Sequence, residues 1–283
     1  MAVKKKENIQ EIRTDEIWPF KDHPFKVIDD ESMLRTVESI SQYGILSPLI
    51  LRPMEGGGYE VISGHRRLHA AEQAGMETVP AIVRELNDDE ATILMVDSNL
   101  QREHLLPSER AWAYRMKLEA MKHQGKATSR QVVGKRESAD EIGIDEGKSG
   151  RQIQRYIRLT YLIPELLQMV DEKKLAFNPA VELSFLSEQQ QKDFIEAMDY
   201  SQNTPSLSQA QRLKKLAADG KCSLDAICAV MMEEKKEMLN KVTFKGDELR
   251  KYFPKSYTPQ QMSNQIIKLL EQWQKKRKRE MSL

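Results

Sequence analysis

The sequence predicts an α+β protein: a small mixed N-terminal domain, then an all-α domain with a helix-turn-helix, then a helical C-terminal region. Three observations predict it. Short β-branched runs alternate with helical stripes only within residues 8–96. Beyond that stretch the apolar patterns have helical spacing. A pair of short helices punctuated by glycines, with a basic outer face, lies near the middle of the chain.

The first region is read element by element. "DDESMLRTVESISQYG" has Met33, Leu34, Val37 and Ile40 at helical spacing and stops at Gly44. "SPLILRP" and "GYEVIS" are strand-like, and the glycines of "MEGGG" between them suit a hairpin. "HRRLHAAEQAG" is a helix stopped by Gly75, "VPAIVREL" a strand, and "NDDEATILMVDSN" a helix behind an Asn/Asp cap. The domain is expected over residues 8–102.

Helices follow over 103–200. "LPSERAWAYRMKLEAMKHQG" opens on Pro107 and Ser108, ends at Gly125, and lines up Ala111, Tyr114, Leu118 and Met121. "SQNTPSLS" is the best linker candidate, so the C-terminal region is drawn over 206–283. Its last helix puts Ile266, Ile267, Leu269, Leu270 and Trp273 on one face, suited to dimerisation or to packing at home. The closing "KKRKR" suits nonspecific DNA contact or a solubilising tail.

Composition excludes several classes. The chain has 283 residues, with 44 basic against 43 acidic, so any polyanion site must come from local clustering of charge. No apolar run approaches the roughly 18 residues of a membrane span. "MAVKKKENIQ" has no apolar core after its charges, unlike a secretory signal. Cys222 and Cys228 suggest neither a disulfide framework nor a zinc site, and the five histidines lack metal-ligand spacing. These features point to a cytoplasmic protein.

Two motifs carry chemistry. "ADEIGIDEGKSGRQIQRYIRL", within about 138–162, supplies Gly143 where two helices cross, Gly147 in the turn, and Ser149 as the cap of a second helix. Ile153, Tyr156 and Ile157 form that helix's buried stripe. Arg151, Gln152, Gln154, Arg155 and Arg158 then face outward, and Lys148 to Arg158 holds four basic residues and no acidic one. Arginine and glutamine are the side chains that read guanine and adenine edges bidentately, so double-stranded DNA is the expected partner. Glu146 occupies a position where such motifs often carry an apolar residue. The second motif is "SGHRR", a strand, Gly64, then a helix opening on His65, Arg66 and Arg67. Backbone N–H groups, helix dipole and guanidinium forks converge there on an anion. "DSNLQREH" adds a second polar cluster at the end of another helix, and the two together suggest a shared polyphosphate ligand.

In order and spacing, "GYEVISGHRRLHAAEQAGMETVPAIVREL", "SNLQREHLLPSERAWAY" and "GKSGRQIQRYIRL" resemble the ParB-type partition proteins (ParB/RepB/Spo0J-like) over roughly residues 10–190, most nearly those of plasmids and conjugative elements. The resemblance implies a ParB/sulfiredoxin-like N-terminal fold that binds CTP with Mg²⁺ and gates a dimeric clamp loaded at a palindromic, centromere-like DNA site. It implies that Gly64, His65, Arg66 and Arg67 cradle phosphates, that Asn99 and Arg102 complete the pocket, and that Ser47 lies by the base. It also implies a nucleoid-associated homodimer and a ParA-type ATPase partner, although "MAVKKKENIQ" lacks the leucine-glycine-arginine motif of many relatives. Two residues depart from the pattern: His65 and Ser98 stand where the family carries glutamates, the second linked to Mg²⁺. CTP binding with weak hydrolysis is therefore the expectation. Sulfiredoxin chemistry needs a cysteine where Ser63 and Gly64 stand, and no carboxylate cluster suits a two-metal nuclease. A transcriptional or replication regulator with a vestigial pocket is the alternative.

Overall fold

The computed structural model describes residues 8–102, 105–127, 135–233, 249, 251–254 and 256–280. The N-terminal domain is built on a five-stranded sheet of order β1-β5-β3-β4-β2: β1 (Ile9–Arg13), β2 (Ile17–Pro19), β3 (Leu49–Pro53), β4 (Tyr59–Ser63) and β5 (Thr78–Val83). The hairpin β3–β4 turns through Gly57 and Gly58, both at positive φ, as the glycine run predicts. β3 runs parallel to β5 because α2 (His65–Gln73), following β4, returns the chain across the sheet. β1 and β2 are unforeseen: β1 is antiparallel to β5, and β2, only three residues long, is parallel to β4.

α1 (Glu31–Tyr43) starts where Asp30 accepts the Met33 N–H at 2.8 Å and ends at Gly44, φ 70°. Met33, Val37 and Ile40 face the sheet core with Leu68, Ala70 and Ala71 of α2. Leu34 does not join them. It is 59% exposed, because the inward stripe is set by the 33/37/40 spacing and residue 34 lies about 100° round the helix from Met33. α3 (Asp88–Leu100) carries the expected Asn87 capping box with Glu90.

α4 (Pro107–Ala127) joins this domain to the next. It runs through Gly125 rather than stopping there. Glu109, buried, accepts the backbone N–H of Leu106 at 2.9 Å and of Lys26 at 2.8 Å, tying the helix start to the N-terminal loop. One apolar cluster contains Phe20, Phe25, Ile62, Met95, Val96, Tyr114 and Leu118 together with Ala139 and Ile142 of α5 (Lys135–Asp145) and Ile153 and Ile157 of α6 (Gly150–Arg158). Described residues on either side of the boundary expected near 102/103 thus share one apolar cluster.

A second helical core is formed by α7 (Pro164–Asp171), α8 (Phe177–Leu183), α9 (Glu188–Ser201), α10 (Leu207–Ala218) and α11 (Leu224–Met232). Pro164 opens α7 as its first residue, after a 3₁₀ turn at Leu159–Tyr161. "SQNTPSLS" is a short loop inside this core: Ala210, Leu213, Ile227 and Val230 beyond it pack with Phe194 and Leu183 before it. The chain divides into two compact units, Met1–Met232 and Glu233–Leu283. In the second unit, α12 (Pro259–Glu280) leaves Ile267, Leu269, Leu270 and Trp273 each more than half exposed.

Candidate nucleotide pocket and DNA-reading face

The turn between β4 and α2 needs glycine. Gly64 sits at φ 108°, and a Cβ there would approach Leu49 Cγ to 3.0 Å and Arg67 Nη2 to 3.2 Å. α2 then projects three cationic or polar side chains, and the structure gives each a different task. Arg67 turns toward β3, donating to the Ser47 carbonyl and to the Pro48 carbonyl at 2.9 Å. Arg67 and Ser47 line a cavity of about 470 Å³ with Ser32, Arg35, Thr36 and Gly44. Arg66 donates to Ser32 Oγ at 3.1 Å and lies 3.7 Å from Asp30.

His65 turns inward. It is 6% exposed, its ring stacks on His23 at 3.7 Å between centroids, and neither of its ring nitrogens has a hydrogen-bond partner. The Nε2 of His23 is also unpaired. Burial pushes His65 down to about 3, with His23 and Arg102 adding to it, and pushes His23 down to about 4. Both rings are therefore neutral at ordinary pH. Arg102, just past α3, lies over the Phe25 ring at 5.7 Å; burial and then the Arg66 charge lower its pKa. Arg102 thus acts on both stacked rings through its charge, and Arg66 acts in turn on Arg102.

Asn99 and Ser98 fit that reading less directly. Asn99 is buried and donates to the Met95 carbonyl at 2.8 Å, and Ser98 Oγ donates to the same carbonyl at 2.9 Å. His23 and Phe25 were missed in the sequence, where "KDHPF" is only a histidine and a proline in a polar stretch. The residues present do not fit a resident Mg²⁺. Among the described residues no group of three or more His, Cys, Asp or Glu could hold a metal ion, and this cluster offers imidazole and guanidinium, not the oxygen ligands Mg²⁺ requires.

The helix-turn-helix forms as its glycines predict. A Cβ on Gly143 would lie 2.5 Å from the Lys148 carbonyl oxygen, and Gly147 adopts φ 62° in the turn. Ser149 Oγ accepts the Gln152 N–H at 3.2 Å and caps α6, while Ile153 and Ile157 are buried. Glu146 finds polar partners: it accepts the Tyr114 hydroxyl at 3.1 Å and the Lys148 ammonium at 3.2 Å. Ser149, Arg151, Gln152 and Arg155 line a groove of about 640 Å³ with Asn178, Glu182 and Gln211. Arg155 donates to Asn178 Oδ1 at 2.5 Å. Gln154 is exposed beside it. Arg158 does not project outward as expected. It donates to the Ser184 carbonyl at 2.7 Å and Oγ at 3.1 Å and lies over Phe185 and Tyr161 at 3.9 and 4.4 Å, because the last turn of α6 abuts α8.

These features define a class: an α+β domain with an anion-suited strand–glycine–helix turn, sharing its core with a helix-turn-helix. Residues 2–100 match the model of the ParB N-terminal domain. Over those residues the chain is similar to the ParB N-terminal domain. It is 36% identical over 170 residues to stage 0 sporulation protein J of Bacillus subtilis, covering 60% of this chain and 55% of that one. It is 35% identical to the chromosome-partitioning protein Spo0J of Thermus thermophilus, covering 60% and 57%. The chain thus matches little more than half the length of these relatives. A solved structure, the C-terminally truncated chromosome-partitioning protein ParB from Caulobacter crescentus complexed with CTP-gamma-S, is 26% identical, with TM-score 0.32, over 62% of this chain and 92% of that one.

Proposed function

We propose that this chain is a partition protein that reads a palindromic DNA site through α6 and binds CTP at the α2/α3 cluster, the nucleotide gating a dimeric clamp. The observation that carries the DNA reading is the groove at α6, where Ser149, Arg151, Gln152 and Arg155 converge on one solvent-facing surface. Arg155, anchored by Asn178, is preset for a bidentate contact to a base edge, and an ordered side chain loses less freedom on binding. Gln154 lies at the edge of that surface, and Arg158 acts there through packing. The nucleotide reading rests on Arg66 and Arg102, whose charges interact, beside neutral His65, unpaired at both ring nitrogens, and His23, unpaired at Nε2. Such groups suit the oxygens of a polyphosphate. Ser47 and Arg67 border a cavity beside them that would take the base.

Dimerisation is assigned to α12, whose exposed Ile267, Leu269, Leu270 and Trp273 fit a second copy. The protein would act at the nucleoid, and a ParA-type ATPase is its expected partner there. No helix among the described residues is long and apolar enough to cross a membrane.

Two measurements test the reading. Gln152→Ala and Arg155→Ala should each cost about 1–3 kcal/mol at the specific site and relax base preference, with little change on nonspecific DNA. Unchanged specific binding would remove α6 from the interface. Calorimetry should detect CTP in preference to the other nucleoside triphosphates, and Arg66→Ala should abolish that heat. A chain that binds DNA but no nucleotide would be a plain regulator of transcription or replication.

A further inference from the structure

We propose that the pocket takes its nucleotide as a metal-free polyphosphate, with the buried His65 imidazole donating to a phosphate oxygen where a divalent cation would otherwise bridge. The inference rests on the nucleotide reading above and adds what the ligand carries into the site. Its starting point is a buried polar group without a partner. His65 is 94% buried, and both its ring nitrogens are unpaired. A neutral imidazole always holds one N–H donor and one acceptor, and a buried polar group left unpaired is rare enough in proteins to need a reason. His65 is the first residue of a nine-residue helix, so the partial positive charge of that helix end adds to whatever its ring donates.

The surroundings favour an anion and oppose a second cation. Two guanidinium groups serve this end of α2: burial and then the charge of Arg66 lower the Arg102 pKa. His23 stacks behind His65 and presents another unpaired nitrogen, Nε2. The nearby carboxylates already have partners. Glu109 accepts the Lys26 and Leu106 N–H groups, one on each oxygen. Asp30 Oδ1 accepts the Met33 N–H at the cap of α1 and is the oxygen that faces Arg66. Ser98, on α3, turns its hydroxyl back to Met95. Mg²⁺ demands near-octahedral oxygen ligands and dehydrates reluctantly, so a site of guanidinium and imidazole gives it poor anchorage. The same groups neutralise phosphate charge without it: two forks supply bidentate N–H pairs and His65 a single directed one.

Calorimetry of the full chain with CTP, in millimolar Mg²⁺ and again with excess EDTA, tests this. The expected result is an affinity that agrees within about threefold between the two conditions. An affinity that falls by about tenfold or more in EDTA overturns the proposal while leaving the nucleotide reading intact. No binding of CTP or any other nucleoside triphosphate in either condition overturns both. Two variants address His65 itself, with circular dichroism reporting the fold. His65→Leu should weaken CTP by about tenfold in both conditions, whereas His65→Gln, which keeps an N–H donor, should stay within about threefold of the parent. Equal affinities for His65→Leu and the parent would show that His65 donates nothing to the ligand. A His65→Leu chain that fails to fold leaves the His65→Gln and EDTA comparisons to decide.

Discussion

Substituting Gly143 by Ala tests the helix-turn-helix at its tightest point. The added methyl would stand 2.5 Å from the Lys148 carbonyl oxygen, 3.1 Å from the Gly150 nitrogen and 3.2 Å from the Ser149 carbonyl carbon. All three are backbone atoms, so no rotamer change relieves them. The Lys148 N–H donates to the Gly143 carbonyl at 2.7 Å, which ties the two sides of the turn together. Restoring an ordinary contact means moving the turn by close to an ångström, against the buried Ile153 and Ile157 that hold α6 down. Overpacking of this kind costs about 1–3 kcal/mol, and backbone obstruction places Gly143→Ala toward the upper half, near 2 kcal/mol. Guanidinium denaturation followed by circular dichroism measures it. Gly56→Ala, whose Cβ would meet nothing within 4 Å, is the control and should stay within about 0.5 kcal/mol. A Gly143→Ala chain as stable as that control would refute the close crossing.

Three further outcomes follow from packing and charge. His65 is folded at a pKa lowered to about 3, against an ordinary 6.5, so the unfolded chain binds a proton that the folded chain refuses. Stability should therefore fall as pH drops from about 6.5 toward 4, by up to about 1.4 kcal/mol per pH unit for this group, and His65→Gln should flatten the slope in a pH series of denaturation curves. Lys117 is buried with its ammonium between Asp97 at 2.7 Å and Asp145 at 3.3 Å, linking α3 to α5. Removing the charge in Lys117→Met should cost no more than about 1 kcal/mol, whereas the Asp97→Asn/Asp145→Asn double variant, which strands the ammonium, should cost about 3–5 kcal/mol by the same assay. Removing residues from 258 onward should give a monomer by sedimentation, with weaker affinity for the DNA site, because one dimer couples two half-sites.

The parts of this fold that were legible in the sequence are those where local chemistry leaves little choice. The glycine run 56–58 between two β-branched segments announces the β3–β4 hairpin, and Gly143, Gly147 and Ser149 announce the turn and cap of the helix-turn-helix. β1 and β2 escaped because both are edge strands: "IQEIR" is mostly exposed, and "IWP" is too short to show a period. The division after Met232 escaped because a Pro/Ser-rich loop looks alike whether it separates domains or joins two packed helices. Only the tertiary burial of Ala210, Leu213 and Val230 distinguishes them. At the site, the sequence motifs singled out Arg66, His65 and Arg102 because two short polar clusters stand at helix ends. The inward turn of His65 onto His23 and the capture of Arg158 by Ser184 and Phe185 depend on contacts across 42 and 26 to 27 positions of chain, which no local pattern encodes.

The central claim is that nucleotide and DNA act on one clamp. The most direct measurement follows retention of the full chain on closed and on open-ended DNA carrying its site, the site being identified first by mapping bound DNA across the genome. With CTP, protein should accumulate on the closed DNA and run off the open ends, and Arg66→Ala should abolish that difference while leaving initial site binding. Equal retention on both DNAs, with CTP making no difference to either, would contradict the clamp.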